Sequence, residues 1–194
     1  MNRREAIKKT GLLLGFAVSS PVLMQVLQGC GSEKTLNWKP QFFSKDQAQL
    51  VSDLVNEILP KTDTPGALDV GVDAFIDKMV GEVYSSSEQE QFIRGLDAIN
   101  EKSKTSSGEL FSDLNSQEKY DLLFQMDSEI KQFDYEADPT KKPFFMMLKE
   151  LTLLGYFTSE EIMTNHLEYM PVPMKLAGCE PMKADQKLRV GNYF

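Results

Sequence analysis

The sequence predicts a mostly α-helical fold: a single compact multi-helix domain over residues 44–169, followed by an extended, irregular C-terminal arm over residues 170–194. Apolar residues recur at spacings of three and four in several segments, and capping patterns open these segments. No run of alternating apolar and polar residues bounded by hairpin turns stands out, so few strands are expected. The roughly 165 residues after residue 29 are enough to bury a core without disulfides.

Three helices are expected in the first half of the domain. The first begins after Ser44, where Ser-Lys-Asp-Gln forms a capping box, and Pro60 ends it. The second covers residues 72–83, which carry one apolar face. Ser87 is expected to cap the third helix, and a polar loop over residues 103–108 follows it.

Asn115 opens the predicted fourth helix, whose expected buried face is Tyr120, Leu123, Phe124 and Ile130. Pro143 begins the most apolar stretch of the domain, a helix that is either central in the core or shared with a partner. For residues 144–148 the core is the favoured location. Gly155 is expected to cap the end of this helix, and a short final helix runs through Leu167.

The C-terminal arm cannot form a long helix, because prolines and glycines interrupt it at Pro171, Pro173, Gly178, Pro181 and Gly191. Its apolar residues cannot be buried within the arm itself, so we expect the arm to lie along a groove of a partner. Cys179 in this arm is either part of an intersubunit disulfide or a single thiol packed against its own domain.

Residues 1–29 are predicted to be an export signal peptide. Arg3, Arg4 and Lys8 precede an apolar run over residues 12–27, a pattern that resembles the twin-arginine consensus. About 16 apolar residues suit a signal peptide better than the roughly 20 that span a bilayer, and an uncleaved transmembrane helix is the alternative. Twin-arginine export carries folded cargo, which favours a protein that binds a cofactor or travels with a partner that does.

The signal peptide ends in Leu-Gln-Gly-Cys, which resembles a bacterial lipobox with Cys30 as the lipidated N-terminus. Residues 30–43 would then form a tether between the lipid and the domain. Trp38, Phe42 and Phe43 are the first residues after the cleavage site with enough apolar area to dock onto a core. We therefore expect a periplasmic protein that is lipid-anchored to a membrane.

A search for a cofactor site in the chain finds few suitable residues. With Cys30 assigned to lipid, Cys179 alone remains, whereas covalent haem and iron–sulfur clusters need several cysteines. His166 is the only histidine, so a metal site or a catalytic triad would depend on this one residue. The sequence thus predicts no catalytic, cofactor-binding or metal-binding residues, and the cofactor is expected in another chain.

Charge disfavours nucleic acid as a partner. The signal peptide holds four of the 21 Lys and Arg and one of the 29 Asp and Glu, so the remaining chain has a formal charge of −11. Such a charge repels phosphate backbones. Three carboxylates at helical spacing are expected to form an exposed acidic surface rather than a calcium site: Asp69, Asp73 and Asp77.

Two segments carry a resemblance to a known family. Residues 57–67 read Glu-Ile-Leu-Pro-Lys-Thr-Asp-Thr-Pro-Gly-Ala, and residues 154–160 read Leu-Gly-Tyr-Phe-Thr-Ser-Glu. With the twin-arginine leader, they resemble the gluconate 2-dehydrogenase subunit 3 family over most of residues 44–180. The residues taken from these segments and the arm as candidates for partner binding are Thr62, Asp63, Thr64, Pro65, Gly66, Gly155, Tyr156, Phe157, Tyr169, Pro171 and Cys179.

The resemblance implies a non-catalytic accessory subunit of a membrane-associated dehydrogenase. In that family the catalytic subunit is a large FAD-dependent flavoprotein of the glucose-methanol-choline type, and electrons commonly leave through a c-type, multihaem cytochrome subunit. The small subunit would escort the folded flavoprotein through twin-arginine export. Substrate recognition would reside in the flavoprotein, so the family's named substrate is not transferred.

Two other hypotheses stay open. One is a free-standing envelope lipoprotein with a binding or structural role. The other is an enzyme in its own right that uses His166 or Cys179. Residues 62–66 also have a purely structural interpretation, as a type II turn with Pro65 and Gly66 at its centre and with Asp63 or Thr64 accepting backbone hydrogen bonds.

Overall fold

A computed structural model describes residues 36–131, 133, 142–170, 181 and 186–190. The predicted signal, lipidation and arm residues Arg3, Arg4, Lys8, Cys30, Pro171 and Cys179 lie outside these residues. The chain from Leu36 onward forms one compact unit. In the described part, no helix has the length and apolar character that a membrane span requires.

The fold is mostly α-helical, as predicted. The α-helices of the described residues are α1 (Lys45–Ile58), α2 (Val72–Lys78), α3 (Ser86–Ser107), α4 (Ser116–Ile130) and α5 (Phe144–Phe157). Shorter elements are a first π-helical turn (Met79–Val83), a 3-10 turn (Phe111–Asp113), a second π-helical turn (Ile162–His166) and the strands β1 (Glu168–Tyr169) and β2 (Arg189–Val190). The short final helix predicted to run through Leu167 is therefore π-helical over Ile162–His166.

The central element of the core is α5, which packs against α1, α2, α3 and α4. Phe145, Met147 and Leu148 are buried, which confirms the core location predicted for the start of this helix. The large side chains around them come from every other helix, among them Leu54, Ile76, Phe92 and Leu123. A helix with apolar residues on most of its surface can pack against four neighbouring helices at once.

Capping boxes begin α1 and α4 at the predicted residues, Ser44 and Asn115. The cap of α3 is Ser85, so the prediction of Ser87 is wrong. Both serines have a glutamate three residues later, and the sequence pattern cannot separate them. The earlier one is used because the chain is already extended at Tyr84, directly after the first π-helical turn.

The polar loop predicted at residues 103–108 is also wrong, because α3 continues through Ser107. The hydroxyls of Thr105 and Ser107 donate to backbone carbonyls four residues earlier, and the Ser103 side chain is buried. Gly108 then ends the helix with φ at 83°, the left-handed conformation typical of a C-cap glycine. Local hydrogen bonds thus satisfy the hydroxyls of Thr105 and Ser107, which otherwise favour a loop.

The buried face of α4 differs from the predicted one. Leu122, Leu123 and Met126 are buried, whereas Tyr120 and Phe124 are exposed and stack with ring centroids 5.9 Å apart. This helix has apolar residues at helical spacing on two faces. Packing against α5 decides which face is buried, and the sequence of α4 alone does not contain that information.

Gly155 lies inside α5 rather than at its C-cap, which is Thr158. A Cβ atom at Gly155 would lie 2.6 Å from Cδ1 of Phe75. Glycine is therefore used here for the close approach of α5 to α2, not for a left-handed backbone conformation.

Residues 36–43, which we call the strap, pack on the domain next to α2 and are held by two buried carboxylates. Asp77 accepts hydrogen bonds from the backbone amides of Gln41 at 2.7 Å and Phe43 at 2.8 Å, and Asp73 accepts one from Nε1 of Trp38 at 2.7 Å. The expected exposed acidic surface is therefore wrong for these two aspartates. They are buried because the strap brings its own donors to them.

The described end of the C-terminal arm returns to the domain. Glu168 and Tyr169 of β1 pair in parallel with Arg189 and Val190 of β2. Val190 packs against the edge of the core. A parallel pair requires a long connection between its strands, which the arm provides.

Candidate functional site

The first family-like segment connects α1 and α2. The loop of residues 62–66, which we call the motif loop, follows α1 and lies at the opposite end of α1 from the strap. Gly66 does not have the positive φ that a type II turn requires at its third position, so that turn prediction is wrong. A Cβ at Gly66 would lie 2.6 Å from the backbone nitrogen of Lys61, which explains the glycine by close packing.

Asp69 holds the base of the motif loop. Its carboxylate accepts the Gly66 amide at 2.8 Å and the Lys61 ammonium at 3.1 Å. These interactions lower the pKa of Asp69, the backbone hydrogen bond from Gly66 being the larger cause. At the tip, the Thr62 hydroxyl accepts the Thr64 amide at 3.4 Å. The side-chain acceptors are thus Thr62 and Asp69 instead of the expected Asp63 or Thr64.

Tyr156 joins the two family-like segments. Its hydroxyl donates to the Pro65 carbonyl oxygen at 2.8 Å, across 91 residues of sequence, and its ring is buried. This hydrogen bond joins the motif loop to α5. Together with the hydrogen bond from Gly66 to Asp69, it holds the loop in place.

A surface pocket of about 490 Å³ lies between the motif loop and the second π-helical turn. Its lining residues are Lys61, Thr62, Asp63, Thr64, Pro65, Asp69, Glu161 and His166. His166 is half-buried there, with Nε2 3.9 Å from Oε1 of Glu161. The lining offers hydroxyl, carboxylate and imidazole groups that can bind polar groups of a ligand or of another protein.

The pocket does not resemble a metal centre. Among the residues that the structure describes, no group of three or more His, Cys, Asp or Glu is placed to hold a metal ion. The carboxylates of Asp73 and Asp77 accept hydrogen bonds from the strap, and Asp73 also accepts one from the Ser52 hydroxyl.

Next to Tyr156, α5 presents apolar side chains to solvent. Leu153, Leu154 and Phe157 are 37%, 47% and 46% exposed, and we call them the apolar stripe. The Phe157 ring packs edge-on against Tyr156 with centroids 5.3 Å apart. Exposed apolar residues grouped on one helix and beside a polar pocket are typical of a protein interface.

The structure brings together most of the candidate residues predicted from the sequence. Thr62, Asp63, Thr64, Pro65 and Gly66 form the motif loop, Tyr156 lies at its base, and Phe157 packs against the Tyr156 ring. Gly155 faces the interior, and Tyr169 is exposed on β1. Leu153 and Asp69 were not predicted; the apolar character of α5 on most of its surface was the available signal for Leu153.

The family match covers the helices, the motif loop and the apolar stripe. Residues 45–174 match the family described as Gluconate 2-dehydrogenase subunit 3. The chain belongs to this family. The family description designates an accessory subunit of a dehydrogenase, which confirms the family resemblance of the motif segments. No curated protein and no solved structure matched the chain.

Proposed function

We propose that this chain is the non-catalytic accessory subunit of a membrane-associated, FAD-dependent sugar or alcohol dehydrogenase of the glucose-methanol-choline type. It escorts the folded flavoprotein through twin-arginine export and anchors it in the periplasm through a lipid on Cys30. A c-type cytochrome is proposed as a third subunit. FAD and haem belong to these partners, and this chain binds neither.

Family membership is the observation that carries the proposal. The matched residues include both family-like segments, and Tyr156 connects them in space through Pro65. The surface where these two segments meet is the proposed location of the contact with the rest of the complex. The leader supports the export route, because Arg3, Arg4 and Lys8 form a twin-arginine pattern in a chain whose sequence offers few cofactor ligands.

The apolar stripe and the motif loop supply the contact chemistry that this role needs. Leucine and phenylalanine side chains give up water-exposed area on binding, and a phenylalanine such as Phe157 can act as the central anchor of an interface. The pocket beside the loop adds polar groups that fix orientation. The flavoprotein is therefore proposed to bind at the motif-loop end of the domain.

Affinity purification from native membranes tests this function. The tagged chain is expected to bring down a large subunit that contains FAD, detected by flavin fluorescence after denaturation and by mass spectrometry. The variant Phe157→Ser is expected to lose most of that flavoprotein, since it removes the largest side chain of the apolar stripe. Phe124→Ser is the matched control, because Phe124 is also an exposed phenylalanine but lies on α4.

The export half of the proposal needs its own test. Replacing Arg3 and Arg4 by lysine is expected to leave both the chain and the flavoprotein in the cytoplasm, because the receptor distinguishes guanidinium from ammonium groups. Two results would instead support a free-standing envelope lipoprotein. The chain would purify as a monomer without flavin, and periplasmic dehydrogenase activity would be unchanged in the double lysine variant.

A further inference from the structure

The strap is a fixed part of the domain and not a flexible tether. One carboxylate, that of Asp77, accepts the backbone amides of Gln41 and Phe43, and it also lies 3.2 Å from the amide of Phe42. Asp77 is 1% exposed. Hydrogen bonds from several amides to a buried carboxylate are costly to break, since opening the strap would leave that charge without donors.

The fixed strap makes the remaining tether short. With Cys30 as the lipidated residue, the chain between the lipid and Leu36 spans six residues, which reach at most about 20 Å when fully extended. A compact domain of this size is about 40 Å across. The lipid can therefore be placed in a membrane only if the surface around the strap is near that membrane.

The two ends of α1 differ in their distance from the start of the tether. The strap leads into the N-terminal end of α1 at Lys45, and the motif loop follows its C-terminal end at Ile58. Fourteen helical residues separate these ends by about 20 Å. A domain that stands with the strap end at the lipid leaves the motif-loop end accessible to a protein partner.

The strap surface is less acidic than the rest of the chain. Lys39 and Lys45 are exposed, and no acidic residue occurs from residue 34 to residue 45 of a chain that is otherwise strongly acidic. Val83, which ends the first π-helical turn beside Phe42, is 64% exposed. Asp46, next to Lys45, and Glu82, next to Val83, are also exposed, so these two acids balance the two lysines and leave the surface about neutral.

We propose that the strap and the adjoining π-helical turn form the membrane-facing surface of the mature protein, with Lys39 and Lys45 against anionic lipid headgroups. This inference rests on the lipidation of Cys30 in the proposed function. It adds an orientation: the domain stands with the strap at the headgroups and the motif loop directed away from them. Each lysine near an anionic surface contributes an attraction that weakens with salt.

Lysine acetylation followed by mass spectrometry tests the orientation on the full mature lipoprotein. The protein is labelled in detergent and in vesicles of phosphatidylcholine with phosphatidylglycerol. Labelling of Lys39 and Lys45 is expected to fall about fivefold in vesicles. Lys61 is the internal control, because its side chain is 71% exposed at the motif-loop end, and its labelling should not change.

Two further measurements separate the possible failures. The intact mass of the N-terminal peptide shows whether Cys30 carries lipid; a chain without lipid overturns both the anchoring and the orientation. A lipidated chain in which Lys61 is protected as strongly as Lys39 overturns the orientation alone. A flexible Gly-Ser insert after residue 35, as long as the tether itself, should restore much of the labelling of Lys39 and Lys45. Protection that this insert leaves unchanged would contradict the short tether as its cause.

Discussion

The two ends of the α1–α2 pair are built differently. At the strap end, the buried carboxylate of Asp77 accepts backbone amides from a segment that precedes the first helix. At the motif-loop end, exposed polar residues surround a pocket, and the side chains of Asp69 and Tyr156 help to hold the backbone. The first arrangement stabilises the fold, whereas the second leaves side chains available for binding.

This comparison shows how similar residues acquire different roles through burial. Asp69 and Asp77 are eight residues apart and both accept backbone amides. Asp77 is buried, so removing it leaves donors without a partner in the protein interior. Asp69 lies at the surface, where water replaces a lost hydrogen bond. Mutations at the strap end should therefore lower mainly the stability of the fold. Mutations at the motif-loop end should lower mainly the binding of a partner.

The largest expected loss of stability comes from Asp77→Ala. The strap amides would lose a charged acceptor in the interior, at a cost of about 3 kcal/mol in the free energy of unfolding. Urea denaturation followed by circular dichroism measures this loss. Asp69→Ala is the matched control, with a clearly smaller loss expected. Equal losses for the two variants would contradict the difference between the two ends.

Gly66→Ala tests whether the motif loop, though exposed, is closely packed. The added Cβ would lie 2.6 Å from the backbone nitrogen of Lys61, so the loop must shift at a cost of about 2 kcal/mol. Gly71→Ala is the control for a conformational cost alone, because nothing lies within 4 Å of its Cβ position and its φ is +71°. We expect a cost of about 1 kcal/mol there, measured by the same urea titration.

Tyr156→Phe removes the hydrogen bond between the two family segments and keeps the ring. A single neutral hydrogen bond contributes about 1 kcal/mol to stability, so a small change in the free energy of unfolding is expected. Recovery of the flavoprotein in affinity purification should fall more clearly, because the motif loop loses its support. Tyr120→Phe, at an exposed tyrosine of α4, should change neither quantity.

The smallest effect concerns pH. The pKa of Asp69 is lowered in the folded protein, so its contribution to stability is present above the unfolded pKa of about 3.9 and is lost as the pH falls through the lower, folded value. Asp69→Asn should therefore show a weaker decrease of the melting temperature below about pH 4 than the wild type. Identical decreases would show that Asp69 does not couple the motif loop to folding.

Much of this architecture can be predicted from the sequence, because local patterns fix it. Ser44 and Asn115 cap their helices as expected, since a capping box involves only four consecutive residues. The family segments identify the motif loop and Tyr156 for a similar reason: their residues are contiguous.

The features that the sequence did not predict depend on distant partners. Asp77 is buried because the strap, 34 to 36 residues earlier, supplies its donors. Gly155 is required by Phe75 on another helix, and Phe124 is exposed because α5 packs on a different face of α4. The apolar periodicity of a single helix does not show which residues of other elements will pack against it.

The most direct test of the account compares two phenylalanines in one affinity purification from membranes. Phe157→Ser alters the apolar stripe beside the motif loop, and Phe124→Ser alters an exposed aromatic pair on α4. The account predicts that Phe157→Ser lowers the recovered FAD-containing subunit by about tenfold or more, while Phe124→Ser leaves it unchanged. Equal recovery with both variants, at equal amounts of folded chain, would contradict the proposal that the dehydrogenase binds at the motif-loop end.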